Sequence, residues 1–274
     1  MSNHMMLHCG GMPASFEDIC NVEPPEATDT YCPVMHGDLV RLVEDEMKAR
    51  FSLSKPEMQF GLNREGKQMF GSLTYNMVEQ DQSVDLSAFT SIEHVGNSFN
   101  DYGFSIVMRN AYDKSMSVGL AGGTKTFICD NMAITGNSFT IMRRHTKNVW
   151  DDVVPMVMQK VRGVADEYRK TVIFQESMKE KLIKQDRGYE IIGLARGRGV
   201  LTSNQMGVAL DEWRLSRRKD HNFYDHRDNA YGLYNAFTHG LKLGHVGRKI
   251  DEYTGASTLF TELGLTRIDD AEIN

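Results

Sequence analysis

The spacing of apolar residues changes twice along this chain. Residues 1–36 hold Pro24, Pro25 and Pro33 among many Thr, Glu and Asp and keep no steady period, which predicts an extended lead-in lying over the body. From Gly37 the pattern turns helical: Leu39, Val43 and Met47 recur every four residues, Asp38 is placed to cap, and "GDLVRLVEDEMKARF" reads as an amphipathic helix ending near Phe51.

Period two then takes over. Met58, Phe60 and Leu62 alternate, "NREGK" turns, and Met69, Leu73, Tyr75 and Met77 alternate again, the signature of a hairpin with one buried face. "FTSIEHVG", "YGFSIVMRN", "SMSVGLAG" and "TKTFICDN" continue the pattern with short connections, so an antiparallel meander of about five or six strands is expected.

After Trp150 the helical period returns. Val154, Val157, Val161, Val164, Tyr168 and Val172 fall on one stripe, predicting a long helix over about 152–183 that "GLARGRG" breaks. Thr202 and Gln205 carry a capping-box pattern for a helix through about Trp213, "RLSRRKDHNFYDHRD" follows as a basic loop, and Leu233, Phe237 and Leu241 line a further helix. The fold class is α+β: an antiparallel sheet preceded by one helix and followed by a long helix and a helical C-terminal region. The expected organisation is a lead-in over 1–36, an α+β core over 37–190, and a helical subdomain with an acidic tail over 191–274.

The chain has 274 residues, 41% hydrophobic and 25% charged, the composition of an ordinary globular protein. Nothing approaches the roughly 20 consecutive apolar residues of a membrane span, and "MSNHMMLHCGG" lacks the basic start and apolar run of a signal peptide. A cytoplasmic protein without membrane contact is expected. The net charge of −6 conceals a division, since residues 1–110 carry −9 whereas residues 143–249 carry 21 basic and 13 acidic side chains, or +8. Such asymmetry points to an anionic partner for the second segment, or to a helical region exposing Lys and Arg for solubility.

Four cysteines, Cys9, Cys20, Cys32 and Cys129, contain no close pair and make no disulfide framework. Cys9, Cys20, Cys32 and His36 can be drawn as a zinc set, but only Cys32 and His36 have ligand-like spacing, and small buried thiols account for the cysteines better. "GLARGRGVLTS" has neither the Lys-Ser/Thr ending of a phosphate-binding P-loop nor a dinucleotide fingerprint, leaving a solvated turn or a loop touching a phosphate backbone. Cys129 and His145 do not form a nucleophile pair, and His221, Asp225, His226 and Asp228 suit either a divalent metal or a polar helix cap. No catalytic residue, metal or cofactor is assigned.

Basic stretches carry the sharper hypothesis. They are Arg143, Arg144, His145 and Lys147; then Arg196 and Arg198; then Arg217, Arg218 and Lys219. Trp213, Phe223 and Tyr224 lie close to the last group, and a positive groove with aromatic faces is how single-stranded nucleic acid is held.

Taken together, "YGFSIVMRNAYDKS" and "TKTFICDNMAITGNSFTIMRRHT" resemble a family of phage- and plasmid-borne proteins of unknown function, domain of unknown function 932. The matching residues are Asn110, Asp113 and Ser115, then Cys129 and Asn131, then Arg144 and His145. Tyr112 stands where the family's first motif has His, and Met132 where the second has Gly. The resemblance covers about residues 35–245 and implies a mobile-element origin. From the residues themselves, Asn110, Asp113, Ser115, Cys129 and Asn131 are expected to hold polar turns and strand ends.

The expected function is that of a phage or mobile-element accessory protein binding nucleic acid, single-stranded by preference, in recombination or replication without catalysis, and assembling as a homo-oligomer in the host cytoplasm. Two alternatives stand beside it. One is an inhibitor of a host defence or transcription protein, presenting the acidic first third. The other is a metal-dependent nuclease built on Asp113, Asp130, His145 or His226.

Overall fold

The computed structural model describes residues 11–51, 55–75, 102–126, 132–133, 140–244 and 248–266. Seven strands form one antiparallel sheet: β1 (Met12–Ala14), β2 (Glu57–Asn63), β3 (Gln68–Tyr75), β4 (Tyr102–Ala111), β5 (Val118–Thr126), β6 (Met132–Ala133) and β7 (Thr140–Arg143). They lie in the order β1-β2-β3-β4-β5-β6, with β7 also paired to β5 beside the two-residue β6. Among the described residues there are eight α-helices: α1 (Phe16–Cys20), α2 (His36–Arg50), α3 (Val149–Arg162), α4 (Val164–Lys179), α5 (Gln185–Gly197), α6 (Ser203–Leu215), α7 (Ala230–Leu241) and α8 (Lys249–Glu262). The α+β class and the order of helices around the sheet follow the sequence pattern. The alternating segment in "FTSIEHVG", Met77, and Cys9 lie outside the described residues.

The hairpin from β2 to β3 turns at Arg64, Glu65 and Gly66, all with positive φ, and the register pairs Asn63 with Gln68. One expectation needs correcting here. All eight residues of β3 are buried, not one face of them. Ser72 and Thr74, polar by pattern, lie under cover, and Thr74 Oγ1 and Ser105 Oγ share a 2.6 Å hydrogen bond across the β3–β4 pair. Covering the second face costs little because these hydroxyls satisfy each other.

Two further corrections concern helices. The long helix expected over 152–183 is interrupted at Gly163, which separates α3 from α4; its N–H bonds the Lys160 carbonyl at 3.0 Å. The lead-in is not wholly extended: β1 joins the sheet edge, and Ser15 and Asp18 close a capping box on α1.

"GLARGRG" is also not a loop. Gly193 to Gly197 belong to α5, and Arg198 and Gly199 close it in a Schellman turn: Gly199 takes φ +74, its N–H reaches the Arg196 carbonyl, and the Val200 N–H reaches Ala195. The helix tolerates Gly188 because the Trp213 indole lies against it; a Cβ there would fall 2.2 Å from Nε1. Thr202 caps α6 with Gln205 as the spacing predicts.

The core has two parts. Leu39, Val43 and Met47 of α2 pack with Phe60, Leu73, Phe104, Ile106, Leu120 and with Val149, Val153, Val157 and Val161 of α3, so Val153 rather than Val154 belongs to the buried stripe. A second cluster gathers Phe174, Ile191, Trp213, Leu233, Phe237 and Phe260 from α4 through α8. No helix among the described residues is long and apolar enough to cross a membrane.

Candidate functional site

At one end of β4, β5 and β7, three separate stretches meet. They are Thr30 and Tyr31 of the lead-in, Lys114 to Ser117 of the β4–β5 turn, and Met142, Arg144 and His145 leaving β7. Together they line an open cleft of about 600 Å³. Local chemistry fixes each wall.

The β4–β5 turn is held by Asp113. Its Oδ1 accepts the Ser115 N–H at 3.0 Å and also the Ser115 hydroxyl, while Oδ2 accepts from Arg64 Nη1 at 2.9 Å and Gln68 Nε2 at 3.2 Å. Burial pushes the Asp113 carboxyl up, but the hydrogen bonds from Ser115 and Arg64 outweigh it and leave the group below the ordinary carboxylate value. The chain can then carry Lys114 at φ +61, and its ammonium lies 4.5 Å from the centroid of the Tyr31 ring.

Asn110, at the end of β4, ties the lead-in to the sheet. Its Nδ2 donates to the Val34 carbonyl at 2.5 Å and to His36 Nδ1 at 2.9 Å. Since His36 Nδ1 accepts, the ring proton sits on Nε2, 3.1 Å from the Gly66 carbonyl. The ring stacks on Tyr112 at 4.0 Å. Burial, against the pull of the Gly66 bond and with His145 nearby, pushes His36 down to about 4, so it is neutral at physiological pH. With both nitrogens engaged, His36 is not free to join Cys32 as a zinc ligand.

His145 forms a wall of the cleft. It is 9% exposed, its ring lies 5.6 Å from that of Tyr31, and neither ring nitrogen has a hydrogen-bond partner. Burial lowers its pKa, and the Cys32 backbone, outside good hydrogen-bond geometry, pulls weakly the other way. Lys114 and Arg144 are exposed, and neither pairs with a carboxylate among the described residues. Among the described residues no Asp or Glu lines the cleft.

The other basic residues sit differently. Arg143 is 4.0 Å from Asp152, and Lys147 is exposed beside the cleft's rim residues in sequence. Arg196 donates to Ser203 Oγ at 3.1 Å, and Arg198 pairs with Glu262 at 2.6 Å in a second groove that shares no lining residue with the cleft. Arg218 pairs with Asp220 at 2.8 Å and Arg217 with Asp228 at 3.4 Å, leaving Lys219 exposed. Carboxylates therefore oppose much of the positive charge counted after residue 190.

Two of the three expected stacking residues are core instead. Trp213 is 0% exposed, with Nε1 donating to the Gln185 carbonyl and the Arg217 guanidinium 4.5 Å over its ring. Phe223 is 5% exposed against Tyr231. Burying so large an apolar area is worth more than leaving it free to stack. Tyr224 stays half-buried with Arg227 over its ring at 4.2 Å.

The polar cluster after α6 disperses as well. His221 Nε2 lies 3.0 Å from Glu212, His226 Nδ1 contacts Asn229 at 3.2 Å, and Asp228 is taken by Arg217 and Arg227. Among the described residues no group of three His, Cys, Asp or Glu could hold a metal. Cys129, Asp130 and Asn131 lie outside the described residues.

Sequence reasoning missed Thr30, Tyr31, Lys114 and Ser117 as cleft residues. The available signal was the turn "DKS", where Asp two residues before Ser favours a side-chain-bonded turn. The fold and site thus define an α+β protein with a cleft that, among the described residues, is lined by cations and by no carboxylate. No family model, curated protein or solved structure matches the chain.

Proposed function

We propose that this chain binds nucleic acid without catalysis, as an accessory protein of a phage or mobile element acting in recombination or replication, and that it grips phosphates through the cleft. The observation that carries the reading is the pair Lys114 and Arg144, brought together from distant parts of the sequence and opposed by no lining carboxylate. Unopposed cations are what a phosphate backbone selects, since binding releases condensed counterions. The cleft volume falls in the range of about 300–1,000 Å³ typical of small-ligand sites, which suits one strand or its end better than a duplex. With Trp213 and Phe223 in the core, phosphate contacts rather than base stacking dominate. The same reading sets the protein in the host cytoplasm as a homo-oligomer, with the mobile-element origin taken from the family resemblance.

The test is fluorescence anisotropy of short single-stranded and duplex DNA and RNA across a salt series. The expected result is tighter binding of single strands, with log K falling linearly against log salt by roughly two to four phosphates' worth of slope. Binding that does not weaken with salt would remove the phosphate grip.

A further inference from the structure

We infer that the cleft is a pocket for a terminal phosphate, the doubly charged phosphate monoester at a strand end, with Lys114, Arg144 and His145 as its ligands. This deepens the nucleic-acid reading and rests on it for the identity of the molecule carrying the phosphate.

Charge comes first. A phosphodiester carries one negative charge, whereas a phosphate monoester carries about −1.5 to −2 near neutral pH and offers three acceptor oxygens. Two cations without carboxylate partners border the cleft, so a single diester leaves it in positive excess and a monoester balances it.

Second is preorganisation. Lys114 is set by the Asp113 turn and by its contact with the Tyr31 ring, so its ammonium needs little reordering to meet an anion. Asp113, the nearest acid in sequence, is already occupied by Arg64, Gln68 and Ser115 and is not a lining residue.

His145 is the independent observation. More than nine-tenths buried, it borders the cleft with both ring nitrogens lacking partners, although a buried polar group left unsatisfied costs about 1–3 kcal/mol. Native proteins hold few such groups, and each one asks for a cause. Its surroundings supply little: the Cys32 backbone lies near the imidazole but outside good hydrogen-bond geometry, and the Tyr31 ring, the neighbouring Arg144 and the neutral His36 offer it no bond. Both ring nitrogens are covered as the ring now stands, so a turn of the imidazole toward the cleft would let a phosphate oxygen accept from its N–H while Arg144 and Lys114 take the remaining oxygens, and Ser117 on the same wall adds a hydroxyl.

The experiment compares one oligonucleotide in three forms, with a 5′-phosphate, with a 3′-phosphate and with hydroxyls at both ends. Each is titrated by anisotropy into the full chain, and inorganic phosphate is followed separately through the histidine ring signals in NMR. A phosphorylated strand is expected to bind about tenfold tighter than the hydroxyl strand, and the preferred end identifies the polarity held. Arg144→Gln and Lys114→Gln, both exposed positions, should each cut that preference to about threefold or less, while Arg218→Gln retains it. His145→Asn, checked for folding by circular dichroism, should also lose the preference.

If all three strands bind equally, the terminal-phosphate pocket is overturned and the nucleic-acid reading stands. If no strand binds but inorganic phosphate shifts the His145 signals, the pocket stands and the nucleic-acid reading falls. If neither binds, both fall.

Discussion

Arg144 at the cleft and Arg218 after α6 are both exposed arginines in basic runs, yet only Arg218 has a carboxylate beside it, Asp220 at 2.8 Å through two N–H groups. The same contrast separates the two regions. After residue 185, Arg187 pairs with Glu190, Arg198 with Glu262, Arg214 with Asp211 and Arg217 with Asp228. Around the cleft, Lys114 and Arg144 have no such partner among the described residues, and Asp113, next to Lys114 in the turn, is paired with Arg64. A net charge counted along a sequence is therefore a poor guide to the field at a surface. What an anion feels is the charge left after short-range pairing.

The largest effect that sharpens this contrast is on stability. Trp213→Ala removes a fully buried indole from the second core cluster and should cost about 3–5 kcal/mol, as large aromatic truncations do. Urea unfolding measures it. A variant with unchanged stability but lost oligonucleotide binding would restore Trp213 as a stacking platform and break the comparison from the C-terminal side.

Next is the acid response of the wall behind the cleft. Folded His36 titrates at about 4 against an ordinary 6.5, so the unfolded chain takes up the proton first as pH falls. Stability from this group is complete above pH 6.5, declines as pH drops toward 4, and is lost by about 3 kcal/mol below that. His145 and His226, also lowered, act in the same direction. An NMR titration of the His36 ring checks the assignment, and a midpoint between 6 and 7 would contradict it.

A smaller effect falls on the turn. Asp113→Ala leaves the Ser115 N–H without its acceptor, takes one of two acceptors from the Gln68 amide and frees Arg64, and should cost about 1–2 kcal/mol. The loss should appear in thermal unfolding, together with a weakened preference of the cleft for phosphate as Lys114 loses its fixed backbone. Smallest of all is Arg218→Gln. An exposed pair such as Arg218–Asp220 is screened by solvent and adds next to nothing to stability, so a clear shift in unfolding midpoint would show that the pair is structural.

The sheet was largely legible because strand periodicity is local: Met58, Phe60 and Leu62 against Met69, Leu73 and Tyr75 announce a hairpin, and "NREGK" its turn. What could not be read was the cover on the second face of β3, because Ser72 and Thr74 look like solvent positions until Ser105 arrives opposite. Helix α5 was hidden by its glycines, whose reason at Gly188 is an indole twenty-five positions on. Helix α1 is five residues long, too short to show a period, although Ser15 and Asp18 carried a cap signal.

The cleft was the least legible feature. Residues 30–31, 114–117 and 142–145 become neighbours only through β4, β5 and β7, and nothing in the sequence couples Tyr31 to Lys114. By contrast, the pairing that neutralises the C-terminal runs was readable in part. Arg214 follows Asp211 by three residues, a spacing at which helical side chains meet, whereas Arg218 and Asp220, two apart, meet because the chain turns after α6.

The most direct test of the central claim sets two double variants side by side. Lys114→Gln with Arg144→Gln should weaken single-strand binding strongly and reduce the slope of log K against log salt by about two, one for each lost phosphate contact. Arg198→Gln with Arg218→Gln should leave both affinity and slope close to those of the parent chain. The reverse result, with binding lost on removal of the paired arginines and retained without the cleft cations, would contradict the account.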